Sequence, residues 1–163
     1  MKSSLFREAY GTNSLVLVII LLIVSCSDVT EQENREFAER FREEVNSITS
    51  RGADSVLRID GLTSFEWDSL FIFKPYTAIA DVESQIGFKW SDAETTLINQ
   101  SDDFNLLVFI ADRKVVAFSR VPRNYGDFSK LESRGPFTVQ NSRFKVKNEL
   151  VGDQPWVFLY VTD

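Results

Sequence analysis

The side chains that could carry chemistry in this chain are few and of limited kinds. Histidine is absent, which excludes Ser-His-Asp and Cys-His catalysis and imidazole metal ligands. The single cysteine, Cys26, follows an apolar run and a serine near the N-terminus. The carboxylate candidates for hydrolysis or calcium binding are Glu66, Asp68, Asp102 and Asp103.

These acids are a weak basis for catalysis. A glycosidase needs two carboxyl groups about 5 Å or about 6.5–9.5 Å apart in a cleft, and any acidic chain offers such pairs by chance. Calcium at Asp102 and Asp103 is disfavoured because the spaced oxygen ligands of an EF-hand loop are missing. The seven glycines form neither common phosphate-binding pattern. We therefore expect no enzyme, with no catalytic residues, no metal and no cofactor.

A long polar stretch from Arg120 to Arg134 is the best candidate for an interaction surface. Its cations surround two aromatic residues, and the set comprises Arg120, Arg123, Tyr125, Phe128, Lys130 and Arg134. Arg and Tyr anchor many protein interfaces, and loops longer than about 12 residues are often functional. The alternative is a solvated, partly mobile connection between two strands.

The N-terminal residues have the layout of an export signal. Lys2 and Arg7 precede ten consecutive apolar residues, Leu15–Val24, followed by the small residue Ser25. Ten residues match the apolar region of a secretory signal, about 7–15 residues, and fall short of the about 20 that a membrane-spanning helix needs.

The residues Ile23-Val24-Ser25-Cys26 resemble the lipobox of bacterial lipoproteins. The resemblance implies that the Cys26 sulfur receives a diacylglyceryl group and that cleavage leaves Cys26 as an acylated N-terminus. Two or more acyl chains anchor a protein stably, whereas one binds only marginally. Two alternatives stay open: an uncleaved membrane anchor, and an ordinary signal peptide that leaves one free thiol.

The lipobox resemblance also implies a domain division and a location. It divides the chain into a signal peptide at 1–25, a lipidated tether at 26–30 and a single domain at 31–163. The protein is then held in the bacterial cell envelope by the bilayer. Ser27 is not the aspartate that retains many lipoproteins at the inner membrane. This implies the outer membrane facing the periplasm in a Gram-negative cell, or the exterior of the cell membrane in a Gram-positive one.

The charge of the chain is acidic and uneven. Of 18 basic and 24 acidic residues, Lys2, Arg7 and Glu8 belong to the signal, so the mature part has a net charge of −7. Residues 28–103 carry −10, whereas residues 104–163 carry +3. The acidic balance argues against a nucleic-acid partner. The asymmetry indicates either an interaction face or an acidic helix packed near a basic sheet.

The apolar periodicity predicts an α+β fold. An amphipathic helix of about 20 residues starts at Thr30 and ends at Gly52, with the apolar stripe Phe37, Phe41, Val45 and Ile48. A strand at 65–73, a helix at 77–87 capped by Thr77 and a helical turn at 91–98 follow. Further strands are predicted at 104–111, 114–121, 136–140, 143–148 and 156–161, with tight turns at Asp112-Arg113 and Asn141-Ser142.

This order predicts an N-terminal helix and short helices packed on one face of a mostly antiparallel sheet of about five to six strands. The run Trp67–Thr77, with Ile86-Gly87 after it, resembles a pattern in small uncharacterised bacterial lipoproteins. That resemblance implies a strand–turn–helix unit and carries no activity.

The sequence favours a non-enzymatic, lipid-anchored envelope protein that binds a protein partner. One alternative is an inhibitor or immunity-type protein against a basic toxin or hydrolase, because basic enzymes are steered towards acidic surfaces. A less favoured alternative is a carboxylate-dependent hydrolase.

The lipobox interpretation predicts the outcome of one substitution. Cys26→Ser removes the sulfur that accepts the lipid, so we expect an unprocessed or mislocalised precursor, measured by intact mass and membrane fractionation. Ser25→Ala keeps a small residue before the cysteine and serves as the control. A Cys26→Ser chain that is still matured and membrane-bound would contradict the interpretation.

Overall fold

The computed structural model describes residues 29–52 and 56–162, with side chains from Arg35 onward. The export signal, the lipobox and Cys26 lie outside the described residues. Within the described part, no helix is both long and apolar enough to cross a membrane.

The described chain has an α+β fold with two helices and six strands. The helices are α1 (Val29–Arg51) and α2 (Ile79–Ile86), and short 3₁₀ turns occupy Asp60–Leu62 and Ala93–Thr96. The strands are β1 (Val56–Arg58), β2 (Ser69–Phe73), β3 (Phe104–Ala111), β4 (Lys114–Pro122), β5 (Arg143–Val151) and β6 (Gln154–Val161). They form two three-stranded antiparallel sheets, ordered β2-β3-β4 and β1-β5-β6. The expectation of one sheet is therefore wrong.

The sheet β2-β3-β4 is covered by a helix on each face. On one face, Leu107 and Phe109 of β3 share a core with α1, where the Phe37 and Phe109 ring centroids are 5.2 Å apart. On the other face, Leu106 and Val108 of β3 pack in a second core with α2. The expectation that all helices pack on one face is wrong because β3 is apolar at consecutive positions, so both of its faces must be buried.

The sheet β1-β5-β6 differs most from the sequence prediction. The strand predicted at 136–140 is absent, and only Phe137 makes a bridge there, to Leu70 of β2. Asn141 instead closes a turn, because its Oδ1 accepts a hydrogen bond from the Thr138 N–H. The hairpin lies further on, where Gly152 adopts a φ of +63° between β5 and β6.

Turn and cap residues follow local chemistry with one exception. Asp112 and Arg113 join β3 to β4 with φ values of 48° and 59°, which confirms the predicted two-residue hairpin. Gly87 ends α2 with a φ of +84°, as predicted. The predicted Thr77 cap is wrong, because the Thr77 hydroxyl donates to the Lys74 carbonyl in the turn before the helix.

The segment 123–142 joins the edges of the two sheets. Asp127 hydrogen-bonds through its backbone to Val157 and Leu159 of β6. Further along, Phe137 exchanges two backbone hydrogen bonds with Leu70 of β2, and the Arg134 carbonyl accepts from Ile72. The segment therefore covers the free edges of β6 and β2, and it helps to enclose the core that α1 shares with both sheets.

This docking predicts a strong effect at Gly135. Its φ is +119°, and a Cβ there would lie 2.6 Å from the Leu70 carbonyl oxygen. Because left-handed strain and a clash with backbone combine, Gly135→Ala should lower the free energy of unfolding by about 3 kcal/mol in a urea titration. Gly61→Ala is the control, since nothing lies within 4 Å of its added Cβ. Equal stability of the two variants would mean that the segment does not dock on β2.

Candidate functional site

Much of the predicted loop from Arg120 to Arg134 is buried or hydrogen-bonded through its backbone to the two sheets. Phe128 is fully buried, and its ring packs 5.8 Å from Phe41 and 5.3 Å from Phe144, measured between centroids. It is a core residue, so its prediction as part of a surface is wrong. The loop owes its order to burial of this ring and to backbone pairing with both sheets.

Arg123 is held in place by a buried carboxylate that the sequence prediction did not single out. Asp127 is fully buried, and its Oδ2 accepts hydrogen bonds from Arg123 Nε at 3.0 Å and Nη2 at 2.7 Å. The same oxygen accepts from Trp156 Nε1 at 3.1 Å, and Oδ1 accepts from the Ser129 N–H at 2.8 Å. Arg123 is therefore a structural cation, and its charge is matched within the fold.

The strongest candidate site is the outer face of the sheet β1-β5-β6. Side chains alternate across a strand, and Phe144, Val146 and Leu159 point into the core. The intervening positions therefore share the opposite face, which we call the β5–β6 outer face: Arg143, Lys145 and Lys147 of β5 with Trp156, Phe158 and Tyr160 of β6. Lys147 pairs with Phe158 and Lys145 with Tyr160 across the two strands.

Each aromatic ring on this face lies beneath a cation. Arg123 lies 5.9 Å from the centroid of the Trp156 ring. Lys130 Nζ is 5.1 Å from the centroid of Phe158, and Lys147 Nζ is 4.6 Å from that of Tyr160. Such contacts contribute about 0.5–1 kcal/mol each at exposed sites, so the rings position the cations above them.

Acidic side chains of the described fold match the positive charge of the β5–β6 outer face only in part: Asp127 pairs with Arg123, and Asp60 interacts electrostatically with Arg143. Among the described residues, Lys130, Arg143 and Lys147 form no ion pair, and all three are exposed. Glu149 shares this face, because it lies opposite Trp156 in the ladder, and it accepts a hydrogen bond of 2.6 Å from the Tyr160 hydroxyl. Five of the nine basic residues of 104–163 lie on or over this face: Arg123, Lys130, Arg143, Lys145 and Lys147. The alternation of residues in 143–147 and 156–160 could have indicated the part of this surface that β5 and β6 provide.

The remaining predicted loop residues lie elsewhere. Arg120 and Tyr125 line a groove between α1 and β4. Arg134 is half-buried beside the edge of β2, where its carbonyl accepts from Ile72. The six predicted residues therefore do not form one surface, and Lys130 alone combines exposure with a place over the β5–β6 outer face.

The four carboxylate candidates also separate. Glu66 and Asp68 line a concavity of about 500 Å³ near the end of β3, where Asp68 Oδ2 accepts from the Asp112 N–H at 3.0 Å. Asp102 and Asp103 precede the start of the eight-residue β3, which places them about 25 Å away at about 3.4 Å per residue. Among the residues with described positions, no cluster of three or more acidic or cysteine side chains could hold a metal ion.

Comparison of the chain with protein-family models, curated proteins and solved structures finds no match.

The hydrogen bond between Tyr160 and Glu149 on the outer face can be tested by titration, because it changes the pKa of Tyr160. The hydrogen bond to Glu149 and burial raise the pKa of Tyr160 to about 12 from its ordinary value of 10.0. This contact therefore stabilises the fold below pH 10, and its contribution is lost as the pH rises from 10 towards 12.

We expect one tyrosine to ionise late in an absorbance titration at high pH. Glu149→Gln removes the carboxylate charge and should move that late step to lower pH, whereas Glu132→Gln, an exposed control, should not. Identical titration curves for the two variants would contradict the contact.

Proposed function

We propose that this protein is a non-enzymatic lipoprotein of the bacterial cell envelope that binds an acidic protein partner through the β5–β6 outer face. In this proposal acylated Cys26 holds the chain to the bilayer, and the described domain provides the recognition surface. The observation that carries the proposal is that Lys130 and Lys147, exposed cations that form no ion pair with a described residue, lie over the Phe158 and Tyr160 rings of β6.

The composition of this face supports binding. Trp, Tyr and Arg are enriched where protein interfaces gain most of their affinity. Trp156 and Tyr160 are half-buried, so their rings keep accessible surface beside the exposed heads of Lys130 and Lys147. Cations at the rim of such a surface accelerate encounter with a partner of opposite charge. The face is positive although the mature chain is acidic, which gives the partner a defined orientation.

A second candidate, the inhibitor of a basic toxin or hydrolase, has support from a different surface. Asp60, Glu66, Asp68 and Asp112 surround the concavity beside Trp67. Arg58 binds Asp60 through two hydrogen bonds, which hold the pKa of that carboxyl below its ordinary range. Glu66 and Asp68 are exposed and form no ion pair among the described residues, so a basic partner would meet two carboxylates whose charge is not paired with a cation.

Site-specific photo-cross-linking tests the proposed face. A benzophenone amino acid at Val151, exposed and in phase with Lys147 and Lys145 on β5, should give a discrete adduct in membranes that carry the full chain. Gln85, exposed on α2, is the position control and should give none.

Charge variants make the test specific. Arg143→Gln with Lys147→Gln should reduce the Val151 adduct about tenfold, because two unpaired cations are removed from the interface. Lys114→Gln with Arg113→Gln removes the same charge from the exposed β3–β4 turn and should leave the adduct unchanged. An absent or charge-insensitive adduct would reject the outer face, whereas an adduct with a basic protein from a cross-linker at Ser64 would support the inhibitor alternative.

A further inference from the structure

A separate groove runs between α1 and the edge strand β4. Its volume is about 390 Å³, which lies in the range of about 300–1,000 Å³ typical of small-molecule sites. Arg35, Ala38 and Glu39 of α1 line one wall, and Phe118 and Arg120 of β4 line the other. The groove lies outside the β5–β6 outer face, and the proposed function does not use it.

The apolar part of the groove is held rigidly. Phe118 packs edge-on against Trp90 of the second core, with ring centroids 5.3 Å apart and planes at 66°. Tyr125 lies beneath Arg42, whose guanidinium carbon is 5.3 Å from the ring centroid. These contacts fix two aromatic rings in a groove that also contains the Ala38 and Pro122 side chains. A bound molecule would therefore meet a preformed apolar surface.

The charged part of the groove is unbalanced. Glu39 forms an ion pair with Arg42, so the one carboxylate in the lining is already neutralised. Arg35 and Arg120 are exposed and form no ion pair with any described residue. Arg120 lies against the Phe104 ring, with its guanidinium carbon 5.9 Å from the ring centroid. Two guanidinium groups that form no ion pair with a described residue therefore border an aromatic groove.

We propose that this groove binds a small amphiphilic carboxylate, a molecule that joins an apolar ring or chain to one carboxylate group. The guanidinium fork of Arg120 or Arg35 matches a carboxylate in two-point geometry. The apolar body packs on Phe118 and Tyr125, where its burial contributes about 25 cal/mol per Å². A cationic ligand is opposed by the two arginines, and a neutral ligand leaves their charge unmatched. This site needs neither acylation of Cys26 nor a partner on the outer face.

Photolabelling with 4-benzoylbenzoate tests the site, because this probe joins an aromatic body to a carboxylate. The full chain in a non-ionic detergent is irradiated with the probe, and the labelled peptides are mapped by mass spectrometry. Labelling should concentrate on the residues that line the groove, at 35–39 and 118–125. The neutral 4-methylbenzophenone, of similar size, should label these segments about tenfold less, as expected for loss of a charge-assisted hydrogen bond.

Substitutions of Arg120 test whether this arginine binds the carboxylate of the probe. Arg120→Gln should lower probe labelling of the groove about tenfold, and Arg120→Lys, which keeps the charge without the fork, should give an intermediate value. Lys114→Gln, on the same strand, is the control and should label normally, and unchanged unfolding curves establish that each variant is folded. Equal labelling by the two probes, label outside the groove, or insensitivity to Arg120→Gln would each overturn the proposal. None of these results depends on the outer-face cross-link.

Discussion

The buried carboxylate of Asp127 fixes the geometry on which the rest of the structure depends. A charged group without exposure is tolerated only when it is paired and hydrogen-bonded. Asp127 meets this condition through Arg123, Trp156 and the Ser129 amide, while its own backbone joins β6. One residue thus binds the connecting segment, the last strand and an arginine at the surface. Phe128, the next residue, can then enter the core that both sheets share.

The same segment explains why two small sheets form one packed unit. Three-stranded sheets leave exposed edges, which invite pairing with other chains. Here Asp127 covers the edge of β6, and Phe137 with Arg134 covers the edge of β2. The loop that the sequence marked for interaction is therefore an internal connector. In the proposed function the partner binds the β5–β6 outer face, which this connector helps to position.

The sequence predicts those parts of the fold whose conformation depends on residues close together in the chain. The β3–β4 hairpin follows from two apolar runs around Asp112-Arg113, and its strand ends fall within one residue of the prediction. The end of α2 at Gly87 is also predicted from the local sequence, because glycine readily adopts the left-handed conformation found there. The outer face could be predicted only in part: alternation identifies the two halves of the ladder, but not that they are adjacent. Their adjacency depends on the turn at Gly152, whereas the alternation on either side of Asn141-Ser142 predicts a hairpin at that earlier position.

Local sequence patterns could not predict which side chains are buried by elements that are distant in the sequence. Phe128 and Tyr125 are aromatic residues three positions apart in a polar stretch, yet one is buried and the other half-exposed. That difference is decided by α1, β5 and β6, which are distant in sequence. Similarly, nothing in the sequence around Asp127 distinguishes it from other acidic residues in loops, because its role depends on contacts with Arg123 and with the distant Trp156. The residues of β3 are apolar at consecutive positions, so the strand is buried on both faces and packs in one core with α1 and in the other with α2.

The stacking of Lys130 and Lys147 on aromatic rings has a thermodynamic consequence. A free lysine side chain loses close to 2 kcal/mol of rotamer entropy when a partner immobilises it. Rings at 5.1 Å and 4.6 Å already restrict these two ammonium groups in the unbound protein. Less freedom then remains to be lost at the moment of association, so a given contact yields more net affinity. In the proposed function, this restriction preorganises the face for its partner.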